Sequence, residues 1–314
     1  MTKSVRPFTA HPGLKATAVA IVFACCVCVL PLGPASSAAE RSKSIPDFNS
    51  NGFGWHSRTV ATMPPPTDTP GADGPIGAHP DFPHFGNNSG RIPTPRIGND
   101  LHPLLLPWAA EVIRKANEQI HAGGERFSAA ARCWPPGVPG ILNFTAQPIL
   151  LLQTPEKVTI IYERGQIIRH VYLNEGHPEN PQPSWMGHSI GHYQGDALVV
   201  DTIGLDPRAF TDEFGTPHTD KLHVVEHYRI VRGSPDLITV DRIPVDDYFI
   251  DPKNEVLQAM AWIEDPKSFT TPYAVMQVYE RATDHFEEII CQENNDDKFN
   301  QGLASVPADA TPDF

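Results

Sequence analysis

The chain has 314 residues, 40% apolar and 19% charged, with 33 prolines and a formal net charge of −13. Such a length and composition suit one large or two ordinary globular domains. The acidic balance, without any run of Lys or Arg, excludes a phosphate-backbone binder, because neutralising phosphates takes clustered cations. No nucleic acid is expected as a partner.

Lys3, Arg6 and Lys15 accompany an apolar run from Ala18 to Leu32, which ends in the small residues Ser36-Ser37-Ala38-Ala39. This is the pattern of a secretory signal peptide. Residues 1–39 are therefore read as a leader, and the mature chain as exported to the periplasm or the extracellular medium. The apolar run is shorter than a membrane span of ~20 residues, and no span is expected in the mature chain. Cys25, Cys26 and Cys28 leave with the leader; Cys133 and Cys291 remain. Two cysteines in an oxidising compartment are read as one disulfide. In the chain-entropy model so long a loop contributes about 4–5 kcal/mol. A catalytic thiol or a metal ligand is the alternative for either cysteine.

From 40 to 103 breakers dominate, among them Pro64-Pro65-Pro66, Gly74-Pro75, Pro80 and Pro83. That stretch reads as an extended arm with turns, anchored by Phe53, Trp55, Phe82, Phe85 and Ile92, with Gly52-Phe53-Gly54-Trp55 leading into a first strand. Residues 104–132 form a helical segment: Leu105, Trp108, Ala109, Val112, Ile113, Ala116 and Ile120 recur at helical spacing over Leu104 to Ile120, and His121-Ala122-Gly123-Gly124 ends it. Residues 133–140 make a rigid Pro/Gly loop.

Within 133–295 the apolar period changes to two. Strands are expected at Ile149–Gln153, Val158–Glu163, Ile167–Leu173, Ala197–Asp201, Leu222–Ile230, Leu237–Val245, Val256–Ile263, Tyr273–Tyr279 and Phe286–Cys291, with residues 296–314 a loose tail. Short strands between Gly/Pro/Asp turns, with no helix between them, read as a mainly β protein: an antiparallel meander closed as a barrel or stacked as a sandwich. The barrel is the form expected here, with the Pro-rich arm and one flanking helix outside it or plugging one end.

Several segments recur together: Cys-x-Pro-Pro-Gly-x-Pro (133–139), Leu-Gln-Thr-Pro (152–155), Trp-Met-Gly-His-Ser-Ile-Gly (185–191), Gly-Asp-x-Leu-Val-Val-Asp-Thr (195–202), His-Thr-Asp-x-Leu-His-Val-x-Glu (218–226) and Asp-Pro-x-x-Phe-Thr-x-Pro (265–272). In this order they resemble a family of secreted bacterial proteins marked by a GHSxGxWEGDTLVVDT-like segment, over residues 104–295. The resemblance implies export and a lipocalin-like β architecture. This chain has Tyr193-Gln194 where that family has Trp-Glu, and His227 where an Arg is usual.

The polar residues that stand out are histidines and carboxylates between 170 and 227: His170, His177, His188, His192, His218, His223 and His227, with Asp196, Asp201, Asp220 and Glu226. By strand alternation His223 shares a face with Val225 and His227, and Glu226 the other face with Val224 and Tyr228. No single strand then presents a metal triad. The pair at 188 and 192 lacks the Glu of the helical zinc motif and is flanked by glycines. A metal remains the minor reading, and no cofactor is expected. Gly187-His188-Ser189-Ile190-Gly191 matches G-x-S-x-G letter for letter, but the strand–turn–helix context a Ser nucleophile needs is absent.

General acid–base chemistry needs only one or two tuned groups beside a substrate. His188 or His223 paired with Asp196, Asp201 or Glu226 supplies them, with His218 as a further candidate. Trp185, Tyr193 and Tyr228 are read as pocket lining, and Arg169 as a partner for an anionic group or a carboxylate. The expectation is a small hydrophobic or aromatic ligand held in an apolar barrel, with imidazoles aimed inward, and a lyase, hydratase or isomerase reaction. The rival readings are a passive carrier or sensor of lipophilic ligands and a metal-dependent hydrolase.

Overall fold

The computed structural model describes residues 45–49, 52–57, 74, 76–82, 97–124, 133–143, 148–163, 165, 167–232 and 255–288. All of them belong to the compact unit Lys43–Phe314. Nine strands among these residues close into a barrel in sequence order: β1 Trp55–Ser57, β2 Pro148–Gln153, β3 Lys157–Tyr162, β4 Ile167–Leu173, β5 His188–Gln194, β6 Ala197–Ile203, β7 His223–Arg232, β8 Glu255–Glu264 and β9 Tyr273–Arg281. β1 closes the ring by pairing with both β2 and β9. A lipocalin-like barrel is thus what the alternating pattern encodes.

Every described pair is antiparallel except one. β4 and β5 run parallel, with Val171↔Ser189, Tyr172↔Ile190 and Leu173↔Gly191 in register, which corrects the expectation of a wholly antiparallel meander. A parallel pair cannot be joined by a tight hairpin and needs a crossover of a dozen or more residues. The 174–187 segment supplies it, and Asn174 starts it at φ 61°, a left-handed conformation that Asn tolerates better than most residues. The crossover carries His177 back over the outer face of β5 and β6.

Strand alternation decides what is inside. On β3 the residues Val158, Ile160 and Tyr162 are buried and those between them are not; on β4 the buried set is Arg169, Val171 and Leu173. Burying side chains of the size of Leu or Ile contributes about 1.5–3 kcal/mol each. Ala259 and Ala261 on β8 leave room for Tyr228 and Val275 opposite or beside them.

One helix, α1 (Pro107–His121), starts on a proline at its first turn and buries Ala109, Ile113 and Asn117. Asn117 pins the preceding segment by accepting from the Gly98 N–H at 3.0 Å and donating to its carbonyl at 2.9 Å. Among the described residues no helix is long and apolar enough to cross a membrane. The helix begins three residues later than the periodicity predicts, because Leu105 forms a bridge with Phe269 instead.

β2, β3, β4, β6, β7, β8 and β9 lie where strands are expected, within about three residues at each end. Trp55 opens β1, and its indole donates to the Phe48 carbonyl at 2.7 Å in the core. Phe82 is half exposed, yet its ring packs on His121 at the end of α1, with centroids 4.9 Å apart; Phe85 and Ile92 lie outside the described residues. So does the expected strand at 237–245. Residues 286–288 carry no strand, and 289–291 lie outside the described residues. Cys133 is disulfide-bonded; Cys291, its expected partner, is outside them too.

Candidate functional site

The barrel interior holds a charge pair instead of an apolar hollow. The Arg169 guanidinium donates from Nη1 to Oε1 of Glu226 at 3.0 Å and from Nη2 to Oε2, while Nε reaches Ser189 Oγ at 3.1 Å and Nη2 also reaches Thr202 Oγ1 at 2.8 Å. The Tyr228 hydroxyl donates to Oε1 of Glu226 at 2.7 Å. All five side chains are buried. Burial works to lower the Arg169 pKa, but the adjacent Glu226 carboxylate outweighs it and holds the guanidinium well above its usual value. Burial, and then Glu226, push the Tyr228 hydroxyl up.

This network places three expected site residues, Arg169, Glu226 and Tyr228, together in the core. It also takes Ser189 out of consideration as a nucleophile: Ser189 sits in the middle of β5, bonded to Arg169 and at 3.0 Å from Thr202. Tyr193 is also interior, and its hydroxyl accepts from Gln153 Nε2 at 2.9 Å.

The imidazoles are on the other side of the sheet. Ser189, Thr202, Val224 and Glu226 face inward, so the alternation of the pleat turns His188, Asp201 and His223 outward. The expectation that the rings point into the barrel is overturned for this reason. They are nevertheless gathered. Oδ1 of Asp201 receives His223 Nε2 at 3.0 Å and His177 Nε2 at 2.9 Å; Nδ1 of His177 lies 3.0 Å from Nδ1 of His188. Tyr172 stacks on the His188 ring with centroids 5.6 Å apart.

This chain of contacts constrains the tautomers. A carboxylate oxygen only accepts, so the facing nitrogens of His177 and His223 carry hydrogen. Of the facing Nδ1 atoms of His177 and His188, one donates and the other accepts. Where His188 donates, its Nε2 is left unprotonated; His223 has Nδ1 as its outward nitrogen. Register sets their spacing. His188 pairs with Ile203, and Ile203 lies one step beyond the Thr202↔Val224 pair, level with His223. The two histidines thus flank Ile203 across two strand spacings, about 10 Å between backbones.

Electrostatics separates the two ends. Partial burial, then the neighbouring His177, lowers the His188 pKa from its ordinary 6.5. The hydrogen bond to Asp201 raises that of His223. The same bond, followed by that from His177, holds Asp201 below the usual carboxylate range. Beside Asp201 a cleft of about 260 Å³ opens, lined also by Asn174, Glu175, Ile190, Gly191, His192 and Val199. Neither His188 nor His223 lines it; Asp201 is shared between cleft and imidazole chain.

Other expected site residues do not join. Asp196 sits with Gly195 at the tip of the β5–β6 hairpin, at the far end of β5 from His188. His218 is buried in the segment before β7, and its Nδ1–H donates to the Thr219 carbonyl at 2.9 Å. Trp185 packs with Trp134 in the turn that leads into β5. His177 and Asp201 stood out in the sequence as polar residues in the right stretch. Their spacing gave no sign that they meet, because the crossover that joins them is a product of the parallel pair. Among the described residues no group of three or more His, Cys, Asp or Glu side chains is arranged to hold a metal ion.

No family model, curated protein or solved structure matches the chain.

Proposed function

We propose that this protein is an exported, cofactor-independent acid–base enzyme of the isomerase, lyase or hydratase class acting on a small carbonyl compound at the outer face of the barrel. The observation that carries the reading is Oδ1 of Asp201 held between two imidazoles, one of which passes the contact on to a third. Paired groups whose surroundings push their pKa values apart are how one site supplies both a base and an acid near neutral pH. His188, whose pKa is lowered, is the base at Nε2; His223, whose pKa is raised, is the acid at Nδ1–H.

In the proposed step Nε2 of His188 takes a proton from the carbon next to a carbonyl. The C–H electron pair becomes the C=C bond of an enol, and the carbonyl oxygen takes the proton of His223 Nδ1. The His188 imidazolium then donates from Nδ1 to His177, whose other nitrogen is anchored on Asp201. Ile203 forms the apolar floor between them. When the enol O–H returns its proton to His223 and the C=O re-forms, delivery of the His188 proton to a different carbon gives isomerisation; if a β-substituent instead leaves with its bonding pair and takes the His188 proton, the result is elimination.

The leader pattern of residues 1–39 and the disulfide-bonded Cys133 support export to an oxidising compartment, with Cys291 as the proposed partner.

The test is carbon-bound deuterium uptake. 4-Methoxyacetophenone, an aryl methyl ketone, is incubated with the protein in D2O and its methyl signal followed by NMR. Enzyme-dependent exchange that falls about 10²-fold or more in His188→Gln and His223→Gln is expected, the range general acid–base groups contribute. Binding without exchange would favour a passive carrier instead.

A further inference from the structure

Three loops meet at the end of the barrel where β5 begins. The 133–140 loop brings Trp134, the 184–187 turn brings Trp185, and the segment after β6 brings Asp206 and Arg208. Backbone bonds stitch the last two together: Ser184 N–H to the Gly204 carbonyl and Asp206 N–H to the Ser184 carbonyl, both 3.0 Å. Their approach is close enough that Gly137, at φ 75°, has no room for a side chain: a Cβ there would lie 2.6 Å from that of Ala209 and 3.1 Å from the Trp185 carbonyl oxygen. A surface held this firmly is organised before any ligand arrives.

The indoles of Trp134 and Trp185 lie 5.2 Å apart at 49°, and the Arg208 guanidinium stands 4.7 Å over Trp185 and 5.7 Å from Trp134. Arg208 is tied to Asp206. Its Nε donates to both oxygens of Asp206, at 3.0 and 3.1 Å, and Nη2 to Oδ2. The Arg208 N–H adds a further bond to Oδ1 at 3.0 Å. The side chain is still 61% exposed. Nothing in the acid–base chain uses these residues.

From this we infer that Trp134, Trp185 and Arg208 form a binding platform for a flat aromatic ring carrying an oxygen acceptor. The ring lies on the indole surface beside the guanidinium, and its oxygen receives the N–H groups of Nη1. The donor balance selects this class. Asp206 turns both oxygens to Arg208, so none of the Trp134, Trp185 and Arg208 side chains brings an acceptor and the guanidinium brings donors. A sugar, whose rim of hydroxyls needs both, is poorly served; an aryl ether or aryl ketone needs donors only. Indole faces favour a ring by stacking, and a guanidinium is itself a flat group suited to such surfaces.

The platform lies within reach of the imidazoles. Trp185 precedes His188 by three residues, which limits their Cα separation to about 11 Å. A substituted aryl ketone can therefore rest its ring on the platform and extend its carbonyl toward Ile203. The inference deepens the acid–base reading and rests on it for the reacting group, but binding is measured without turnover.

The experiment titrates the full chain with 4-methoxyacetophenone and with its saturated counterpart, 4-methoxycyclohexyl methyl ketone, following indole N–H signals by NMR. Acetophenone and methyl β-glucoside complete the set. The aryl ether should bind about tenfold more tightly than the saturated ketone, the order expected of one stacked pair, and shift the Trp134 and Trp185 signals. Acetophenone, lacking the ether oxygen, should bind more weakly. Trp185→Leu should lose about tenfold; Arg208→Lys, which keeps the charge and removes the planar fork, should remove the preference for the ether. Binding is read from the indole signals without turnover, so failure of the catalytic reading leaves this result standing. Equal binding of the two ketones, preference for the glucoside, shifts confined to other indoles, or no shift up to the solubility limit would each overturn the inference.

Discussion

His223 and Asp201 are not opposite each other in the sheet, yet their side chains meet. Asp201 pairs with Val225, so His223 is its diagonal neighbour on the next strand, and Nε2 still reaches Oδ1 at 3.0 Å. Diagonal positions on one face of a sheet are within reach of long side chains. His177, which arrives from the crossover, occupies the same oxygen.

Stability should follow this pair with pH. The folded-state pKa of His223 is raised, so its contribution is fully present below 6.5 and is lost as pH rises through the raised value. Asp201 is depressed, so its contribution is present above 3.8 and is lost as pH falls through the lowered value. His188 acts in the opposite sense to His223, since a lowered pKa makes its protonation cost stability as pH falls below 6.5. His223→Gln should therefore lower stability more at pH below 6.5 than well above it. Urea unfolding at several pH values measures this. The pair is partly exposed, so the difference should be small and should shrink with added salt.

The interior pair should behave differently. Glu226→Gln or Arg169→Met alone strands a buried charge and should destabilise by about 3–5 kcal/mol, whereas Arg169→Met with Glu226→Leu should recover much of that loss. Urea midpoints of the two single variants and the double variant, compared as a cycle, are the check.

The turn before β5 is a third place to probe. Gly187 has φ 64°, and a Cβ there would come 2.6 Å from the Ile203 carbonyl oxygen and 2.8 Å from Thr202 Cγ2. Gly187→Ala should cost about 1–3 kcal/mol for the forced backbone and should shift the His188 ring signals, because the displaced turn leads directly into β5.

What the sequence made legible was whatever repeats along one strand. The two-residue period placed seven of the described strands, and it separated the face of His223 from that of Glu226 before any pairing was known. What it could not supply was which face is the inside. An acidic or basic residue at an alternating position reads as outward, yet Arg169 and Glu226 are inward because each neutralises the other and Ser189, Thr202 and Tyr228 satisfy the remaining bonds. His188 and His223, read as inward, stand on the solvent side of their strands. β5 was hidden because Gly187, Gly191 and Gly195 punctuate it like a loop; Gly191 is there because a Cβ would meet Val171 Cγ1 at 2.7 Å across the parallel pair. The Arg208 platform was invisible for another reason: three loops distant in sequence make it.

The most direct measurement is the titration of the individual histidine rings by NMR in the intact protein and in Asp201→Asn and His177→Gln. The account predicts that His188 titrates below 6.5 and His223 above it, that Asp201→Asn brings His223 down, and that His177→Gln moves His188 up. Two rings titrating together near 6.5, unmoved by either substitution, would contradict it.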